Sequence, residues 1–476
     1  MCEVLLILHT SKTLIGKRNI FHHKVIALPS VAWRMRVESE SSGDNIPLLA
    51  DTEKSPVDSN SRDGSIPGAV FNVSTTMIGA GIMSIPATIK VLGIVPGFLV
   101  IVLVALVTDI TVEFMLRYSG SDKSITYAGM VSESYGKLGS LAVKICVIIT
   151  NLGVLVIYFI ILGDVLCGRA SKGVDQVHAG VVQEWLGFHW WTSRPFALLL
   201  FSVFLILPFL LLRRMDSLSY SSGISILLAL VFVAISSSMA FYALWSGESQ
   251  SLRIFPDFSQ FSVLDIVTTI PVFVTGFGFH PYVHPIRAEL REAGDMRVAV
   301  RYSLIICVAI YFATGFFGYL LFGDSIMTDM LVNFDQSSNT HAGRLLNDVV
   351  RLSYALHLAL VFPVINFTLR LNIDELLFSQ DDNKPELASN TPRFLGLTLS
   401  LFAFTYALAV AIPNIWYFFQ FLGSTTIVSL AFIVPPAIIL RDIYGIATTK
   451  DRVLAIVVAL LAVVTSGVAI WTNLYT

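Results

Sequence analysis

The sequence predicts an all-α polytopic membrane protein, and three features of its composition support this fold class. Apolar residues make up 55% of the 476 residues and charged residues only 13%, whereas a soluble globular protein carries about 25% charged residues. The mean hydropathy is +0.75 for a mass of 52.3 kDa, so much of the surface must face lipid. The net charge of -2 gives no attraction to nucleic acid, and four cysteines are too few for a disulfide framework.

About eleven stretches are long enough to cross a bilayer, because a transmembrane helix needs about 20 mostly apolar residues. The predicted spans are 67–91, 96–116, 139–166, 195–212, 220–245, 263–286, 301–322, 345–369, 393–412, 414–440 and 453–473. The breaks between them are short and turn-like, as at Ile412-Pro413-Asn414.

Residues 1–64 precede the first span, and we expect them to form a disordered tail because they are polar and acidic from Glu38 onward. The basic stretch 1–36 has too short an apolar run for a signal peptide. We interpret it as an extension upstream of a natural start at Met35, with a transit peptide as the alternative.

The tail also contains a short pattern that sorting adaptors read, an acidic residue separated by three residues from a leucine pair. It consists of Asp44, Leu48 and Leu49. As a true signal it predicts a sorting adaptor as partner and a vacuolar or other endomembrane location. Such short patterns also occur by chance, which is the alternative.

The loops predict the orientation, because lysine and arginine are enriched in cytosolic loops. With the tail in the cytosol, fifteen lysines and arginines lie in cytosolic loops and five lie on the opposite side: Arg169, Lys172, Arg194, Arg253 and Arg344. The N-terminus is therefore predicted to be cytosolic.

Two spans are interrupted by glycine and proline at corresponding places. The first span contains Gly79-Ala80-Gly81 before Pro86, and the sixth contains Gly276 and Gly278 between two prolines. Two such segments five spans apart indicate a 5+5 inverted repeat with a binding site at the membrane midplane. The predicted parts are a first repeat at 65–246, a second at 263–440, and an extra helix with the C-terminus at 441–476. Close helix packing by small residues is the alternative reading of the glycines.

A broken helix suits a zwitterion, because its ends expose N–H groups to a carboxylate and carbonyl groups to an ammonium. Both charges are then met without a charged side chain in the membrane. Neighbours such as Tyr158, Phe277 and Phe279 would contact the substrate side chain. The candidate substrate-binding residues are Thr75, Thr76, Met77, Ile78, Gly79, Ala80, Gly81, Ile82, Phe273, Thr275, Gly276 and Phe277.

The stretch from Gly68 to Ser74, followed by Ile78-Gly79-Ala80-Gly81-Ile82, resembles the opening motif of the amino acid/auxin permease superfamily. The similarity is greatest to the sodium-coupled neutral amino acid transporters and the plant vacuolar amino-acid transporters. Segments at 108–113 and 285–290 support it, and it covers roughly 65–475. The resemblance implies the leucine-transporter-like fold and amino-acid substrates bound at the first and sixth spans.

Three ionisable residues inside predicted spans are candidates for proton coupling: Asp109, Glu113 and His357. Carboxylates in a membrane favour the neutral form and can carry protons, and histidine titrates near neutral pH. The alternative for Glu113 is a structural ion pair with Arg117, four residues further along the helix. A metal site at His280 and His284 lacks a third ligand, so we expect no metal and no cofactor.

The resemblance also bears on the coupling ion. Sodium-coupled members have a side-chain hydroxyl two residues before a proline in the eighth span, and the matching residue here is Val361. The matching position in the first span, which carries an amide in those members, is Thr75. Since sodium needs oxygen ligands, we expect coupling to protons, or uniport.

The sequence therefore predicts a secondary active transporter of neutral or acidic amino acids and not an enzyme. A sensor that uses the same pocket without net transport is the alternative, and flux measurements separate the two.

Overall fold

The computed structural model describes residues 64–119, 126–170, 177–213, 219–335, 341–378 and 387–475. Except for Gly64, the predicted tail lies outside the described residues, and so do Asp44, Leu48 and Leu49 of the sorting pattern. Within the described ranges the fold is helical, apart from a two-stranded hairpin in which Arg169–Ala170 pairs antiparallel with Val177–His178.

The helices follow one another in the order that the apolar stretches predict. Those of the first half are Ile66–Met77, Ile85–Leu92, Ile94–Tyr118, Tyr127–Cys167, Val181–Leu186, Arg194–Phe201, Leu207–Leu210 and Ser219–Ser246. Those of the second half are Val263–Thr268, Ile270–Gly276, His280–Glu289, Asp295–Phe322, His341–Phe378, Thr391–Ala411, Ile415–Ser424, Thr426–Val428, Val434–Arg441 and Thr449–Tyr475. Short 3₁₀ segments lie at Ala80–Ser84, Trp190–Thr192, Gly323–Ser325 and Met330–Asp335, and π-helical segments at Ser202–Ile206 and Ser429–Ile433.

Polar side chains set where several of these helices begin. Ser65, Thr126 and Asn390 each accept a hydrogen bond from a backbone N–H three residues ahead, and Asn414 accepts one from two residues ahead. Ser262 forms a capping box with Asp265 at the start of the sixth span. These bonds satisfy N–H groups that a helix start leaves without an intrahelical partner.

The predicted count of eleven spans is not confirmed. Within the described residues nine helices are long and apolar enough to cross a membrane, and the bent pair Ile66–Met77 and Ala80–Leu92 makes ten. The predicted fourth span, 195–212, is a shorter apolar helix, Arg194–Leu210. Its path contains the π-helical segment Ser202–Ile206 directly before Pro208, and proline disrupts the regular helical hydrogen bonds of the preceding turn.

The spans differ in how much protein surrounds them. The central windows of the third span (Tyr127–Cys167), the eighth (Gly343–Phe378) and the tenth (Ile415–Arg441) are 67%, 78% and 72% buried. The fifth (Ser221–Ser246) and the last (Thr449–Thr472) are only 28% buried although they are strongly apolar. Exposed apolar surface on these outer helices is suited to lipid contact, and the inner helices surround the two breaks.

Candidate functional site

The first span breaks where the sequence predicts it. Helix Ile66–Met77 ends at Ile78, Gly79 is extended with φ −123° and ψ −154°, and a 3₁₀ turn begins at Ala80. The helices on either side are bent by 49° relative to each other. Since the first N–H groups of a helical turn have no intrahelical partner, those of Ala80 and Gly81 are available to a ligand.

The sixth span breaks between Gly276 and His280. Helix Ile270–Gly276 ends, Phe277 and Phe279 have non-helical backbone angles, and helix His280–Glu289 follows. The second predicted interruption is therefore confirmed as well, although the span stays straight enough to be a single crossing, Val263–Glu289.

The two breaks are in direct contact. A Cβ atom added to Gly81 would lie 3.1 Å from the Cα atom and 3.3 Å from the nitrogen of Gly276. These distances leave no space for a side chain at Gly81 unless the backbone of the sixth span moves. The packing role expected of small residues and the close approach of two broken helices are therefore both present.

Two tyrosines of neighbouring helices bond to carbonyls at the breaks. The Tyr311 hydroxyl lies 2.5 Å from the Met77 oxygen and 2.7 Å from the Gly276 oxygen, so it links both broken helices. The Tyr354 hydroxyl donates to the Gly79 oxygen at 2.7 Å. Sequence reasoning missed both tyrosines, and the signal that could have found them is that a buried tyrosine hydroxyl usually finds a partner. It also treated these carbonyls as unpaired, whereas the Met77 oxygen accepts the Gly79 N–H and the Gly79 oxygen accepts the Tyr354 hydroxyl. The single proton of the Tyr311 hydroxyl is then available to the Gly276 oxygen.

His357 bonds to the remaining carbonyl of the first break. Its Nε2 atom lies 2.7 Å from the Ile78 oxygen, and its Nδ1 atom lies 2.7 Å from the Ser225 oxygen in the fifth span. The side chain is fully buried. The residue that the sequence singled out for its titration thus contacts the broken helix itself.

A small cavity adjoins the breaks. Its volume is about 40 Å³, and a water molecule needs roughly 10–15 Å³ by the same measure, so there is room for a few waters. It is lined by Thr76, Met77, Gly79, Ala80, Gly81, Thr150, Val154, Ile157, Tyr158, Thr275, Gly278, Tyr282, Ile365, Phe419 and Ile427. No aspartate, glutamate, lysine or arginine is among these lining residues.

Six of the twelve predicted binding residues line this cavity: Thr76, Met77, Gly79, Ala80, Gly81 and Thr275. The other six are not among its lining residues: Thr75, Ile78, Ile82, Phe273, Gly276 and Phe277. Thr75 donates its hydroxyl to the Phe71 oxygen at 2.8 Å, and the ring of Phe277 packs edge-on against Tyr311.

The third span contributes Tyr158 to the cavity wall. Its hydroxyl makes no hydrogen bond within the described part of the chain, and it lies 2.5 Å from the position of a Cβ atom on Gly79. A buried tyrosine hydroxyl without a protein partner is suited to bond a bound molecule.

The carboxylates of the second span lie in ion pairs. Glu113 lies 2.5 Å from Arg297 and 3.3 Å from Arg117, and Asp109 lies 3.4 Å from Arg301. Their side chains are 18% and 28% exposed. The structural alternative considered for Glu113 thus has its ion pair in place.

A further network lies after the tenth span, outside the membrane-spanning helices. Asp442 accepts hydrogen bonds from Tyr118, from Arg452, and from the backbone N–H groups of Ile446 and Ala447. The bond from Tyr118, more than that from Arg452, lowers the pKa of the Asp442 carboxyl to about 2. This carboxylate is therefore charged at any physiological pH.

His280 and His284 contact the second span rather than each other. Their Nε2 atoms lie 2.9 Å from the hydroxyls of Thr111 and Ser119. In the described part of the chain no group of three histidine, cysteine or acidic side chains could hold a metal ion.

Comparisons with known proteins agree with this geometry. The family model "Transmembrane amino acid transporter protein" matches residues 62–473. Amino acid transporter AVT6C of Arabidopsis thaliana is 51% identical over 424 residues, which is 89% of this chain and 96% of the relative. Solute carrier family 38 member 10 of Mus musculus is 28% identical over 407 residues, 84% of this chain and 35% of the relative.

The solved structure of MhsT in complex with L-phenylalanine is similar with a TM-score of 0.57 at 12% identity, over 86% of this chain and 98% of that one. At this identity the similarity shows the fold alone, and it confirms the leucine-transporter-like fold that the sequence predicts. The family and the Arabidopsis relative are described as transporters, in agreement with the prediction that the chain is not an enzyme.

Proposed function

This chain belongs to the transmembrane amino acid transporter family, and we propose from that premise that it is a secondary active transporter of neutral or acidic amino acids. Transport proceeds by alternating access, coupled to protons or as uniport. The observation that carries the proposal is the uncharged cavity where two touching broken helices meet. The inverted repeats at 65–246 and 263–440 move relative to each other around this fixed site.

The substrate carboxylate binds at the start of the 3₁₀ turn in the first span. The N–H groups of Ala80 and Gly81 lie at a helical N-terminus, which attracts anions, and both residues line the cavity. The unpartnered hydroxyl of Tyr158 lies at the same wall and supplies a third donor. A carboxylate with two oxygens can accept all three bonds.

The substrate ammonium binds on the carbonyl side of the same breaks. The Gly79 oxygen accepts both the Tyr354 hydroxyl and, at 3.3 Å, the Ile82 N–H. The Gly276 oxygen faces only the Tyr311 hydroxyl, and a carbonyl oxygen has a second lone pair. Opening of the cavity exposes this lone pair of Gly276 to the ammonium. The cavity of about 40 Å³ must widen to admit an amino acid, as alternating access requires.

Protons rather than sodium couple the transport, if any ion does. Val361, which stands where sodium-coupled members have a hydroxyl, is fully buried and offers no side-chain oxygen. The Thr75 and Ser353 hydroxyls donate to the Phe71 and Val350 oxygens of their own helices and keep their lone pairs, so Val361 is the position at which a side-chain ligand is missing. A cation with an incomplete set of oxygen ligands in a low-dielectric site is costly.

The test is uptake of a radiolabelled amino-acid mixture into proteoliposomes of the full chain. We expect uptake to persist when choline replaces sodium at fixed pH. A pH gradient alone should then either drive accumulation or, for uniport, leave plain equilibration. Uptake that stops without sodium and ignores the pH gradient contradicts the coupling proposal, and binding without any flux favours a sensor.

The location of the protein follows from its loops and tail. The excess of lysine and arginine in one set of loops supports a cytosolic N-terminus. A sorting adaptor that reads Asp44, Leu48 and Leu49 then directs the protein to a vacuolar or other endomembrane. Protease added to sealed organelles tests the orientation. A tag at a cytosolic N-terminus is digested, whereas a tag on the opposite side is protected.

A further inference from the structure

His357 faces two hydrogen-bond acceptors at once. Its ring nitrogens lie 2.7 Å from the backbone oxygens of Ser225 and Ile78, and a backbone carbonyl can only accept. A neutral imidazole has a single N–H group, so one of its nitrogens would direct a lone pair at a carbonyl lone pair. The imidazolium has two N–H groups and satisfies both carbonyls. The geometry around His357 therefore fits the protonated ring.

The geometry points to His357 as the site where the coupled proton resides. The protonated ring, which belongs to the eighth span, then holds the first break and the fifth span together through its two hydrogen bonds. This inference rests on the proposed proton-coupled transport and assigns its proton to one residue. The proton enters from water on one side of the membrane, binds to the neutral ring, and leaves to water on the other side. Its ligands are the carbonyls of Ile78 and Ser225.

In the surroundings of the imidazolium, the carbonyl oxygens of Ile78 and Ser225 are the groups that stabilise its positive charge. Tyr354, one turn earlier in the same helix, packs its ring 4.9 Å from the imidazole. The first and fifth spans face the ring with the backbone oxygens of Ile78 and Ser225. Within the described residues no carboxylate, lysine or arginine is bonded to His357. The buried carboxylate of Asp329 accepts a hydrogen bond from the Leu331 backbone N–H instead.

The position of His357 also fits the role of a resident cation. It precedes Val361 by four residues and therefore lies on the same face of the eighth helix. Where sodium-coupled members of the family direct a hydroxyl toward a metal ion, this chain has a valine and, one turn away, a ring that bonds the broken helix. The imidazolium thus supplies one positive charge between the first and eighth spans.

Protonation at this site is linked to the substrate site through the backbone. Ile78 lies between Met77 and Gly79, both of which line the cavity. When the proton leaves, one of the two bonds becomes a repulsion between lone pairs, and the break can separate from the fifth or eighth span. By reciprocity of binding, substrate that stabilises the closed break also stabilises the proton. Substrate affinity should therefore fall as the pH rises.

The carboxylates of the second span are less suited to this role. Asp109 and Glu113 are paired with arginines of the seventh span, Arg301 and Arg297, and within the described residues neither is bonded to either break. We therefore use Asp109→Asn as a comparison variant, which should retain the pH dependence of transport.

The experiment compares His357→Gln with wild type in proteoliposomes, with a radiolabelled amino-acid mixture as probe. Exchange at equal pH measures transport, and accumulation under a pH gradient measures coupling. For one proton per substrate each pH unit can drive up to about tenfold accumulation. We expect the variant to exchange at a lower rate with no pH dependence and to accumulate nothing. The matched control is Tyr354→Phe, which also loses a bond to the first break but should keep the pH dependence.

The outcomes separate this inference from the proposed function. Wild type that exchanges but never accumulates under a pH gradient refutes proton coupling, and wild type that does not exchange refutes transport itself. If a pH gradient drives accumulation by both wild type and His357→Gln, the assignment to His357 is refuted.

A second measurement does not depend on the folding of a variant. Solid-state NMR of wild type with ¹⁵N-labelled histidine should show one ring with both nitrogens protonated at a pH where exposed histidines are neutral. His280 and His284 each have one hydroxyl partner and an unpartnered Nδ1 atom, so they should not give this signal. Absence of such a ring overturns the inference.

Discussion

Replacing Gly79 with alanine should weaken substrate binding through a single atom, the hydroxyl oxygen of Tyr158. The new Cβ atom would lie 2.5 Å from that oxygen, whereas the next nearest atom, Cζ of Tyr158, is at 3.5 Å, an ordinary contact distance. The backbone angles of Gly79, −123° and −154°, are open to alanine, so the change adds no backbone strain. The tyrosine must therefore move its hydroxyl away from the cavity wall.

The expected loss follows from the size of this clash. Overpacking costs about 1–3 kcal/mol, and because the clashing atom is the end of a side chain beside a cavity, we expect the lower end, about 1 kcal/mol or roughly fivefold weaker binding. Tyr158→Phe alone removes one hydrogen bond to the substrate and costs about 0.5–1.5 kcal/mol, or roughly 2- to 13-fold. In the double variant the clashing oxygen is absent and the nearest ring atom lies at an allowed distance. Its binding should equal that of Tyr158→Phe alone.

The assay is a double-mutant cycle on the substrate Kd of the purified protein and on KM for uptake. The thermal stability of each variant is measured in parallel to confirm that the fold is intact. We expect an interaction energy between the two changes that is equal in size and opposite in sign to the binding free energy lost in Gly79→Ala alone. Additive losses in the double variant would refute the argument, because the alanine would then act through something other than Tyr158. Unchanged affinity in Gly79→Ala would remove this wall from the substrate site.

Three other predictions follow. Gly81→Leu should weaken substrate binding by more than about 100-fold, since it displaces backbone at a cost of roughly 3 kcal/mol. The control is Gly396→Leu, whose Cβ position has nothing within 4 Å; at the same surface expression it should bind substrate normally. Asp442→Asn should leave the pH profile of transport above pH 5 unchanged, because the wild-type carboxyl, with a pKa of about 2, is charged throughout that range. In thermal melts of wild type, the contribution of Asp442 to stability should be lost only as the pH falls from about 4 to 2. Loss of that contribution at pH 5–6 contradicts the prediction. Imaging of the Leu48→Ala, Leu49→Ala double variant should show altered location, and a distribution equal to that of wild type refutes the sorting signal.

The spans and the two breaks could be predicted from sequence because both depend on local properties. A run of apolar residues is long enough to cross a membrane or it is not, and glycines near proline weaken helical hydrogen bonds wherever the chain goes. For this reason Gly79 and Gly81 identified the first break, and Gly276 and Gly278 the second. The local pattern was less informative at 195–212, where hydropathy alone did not reveal a helix shortened by a π-helical segment before Pro208.

The contacts of the breaks were decided only by the tertiary structure. Tyr311 lies 234 residues from Met77, His357 lies 279 residues from Ile78, and nothing in the local sequence of either residue records its partner. The same holds for Asp109 and Glu113, whose arginine partners Arg301 and Arg297 lie in the seventh span. The sequence by itself determined where helices form and where they fail, because those choices are made by each segment's own residues. Which side chain meets which freed carbonyl depends on how distant helices pack, and only the folded chain contains that information.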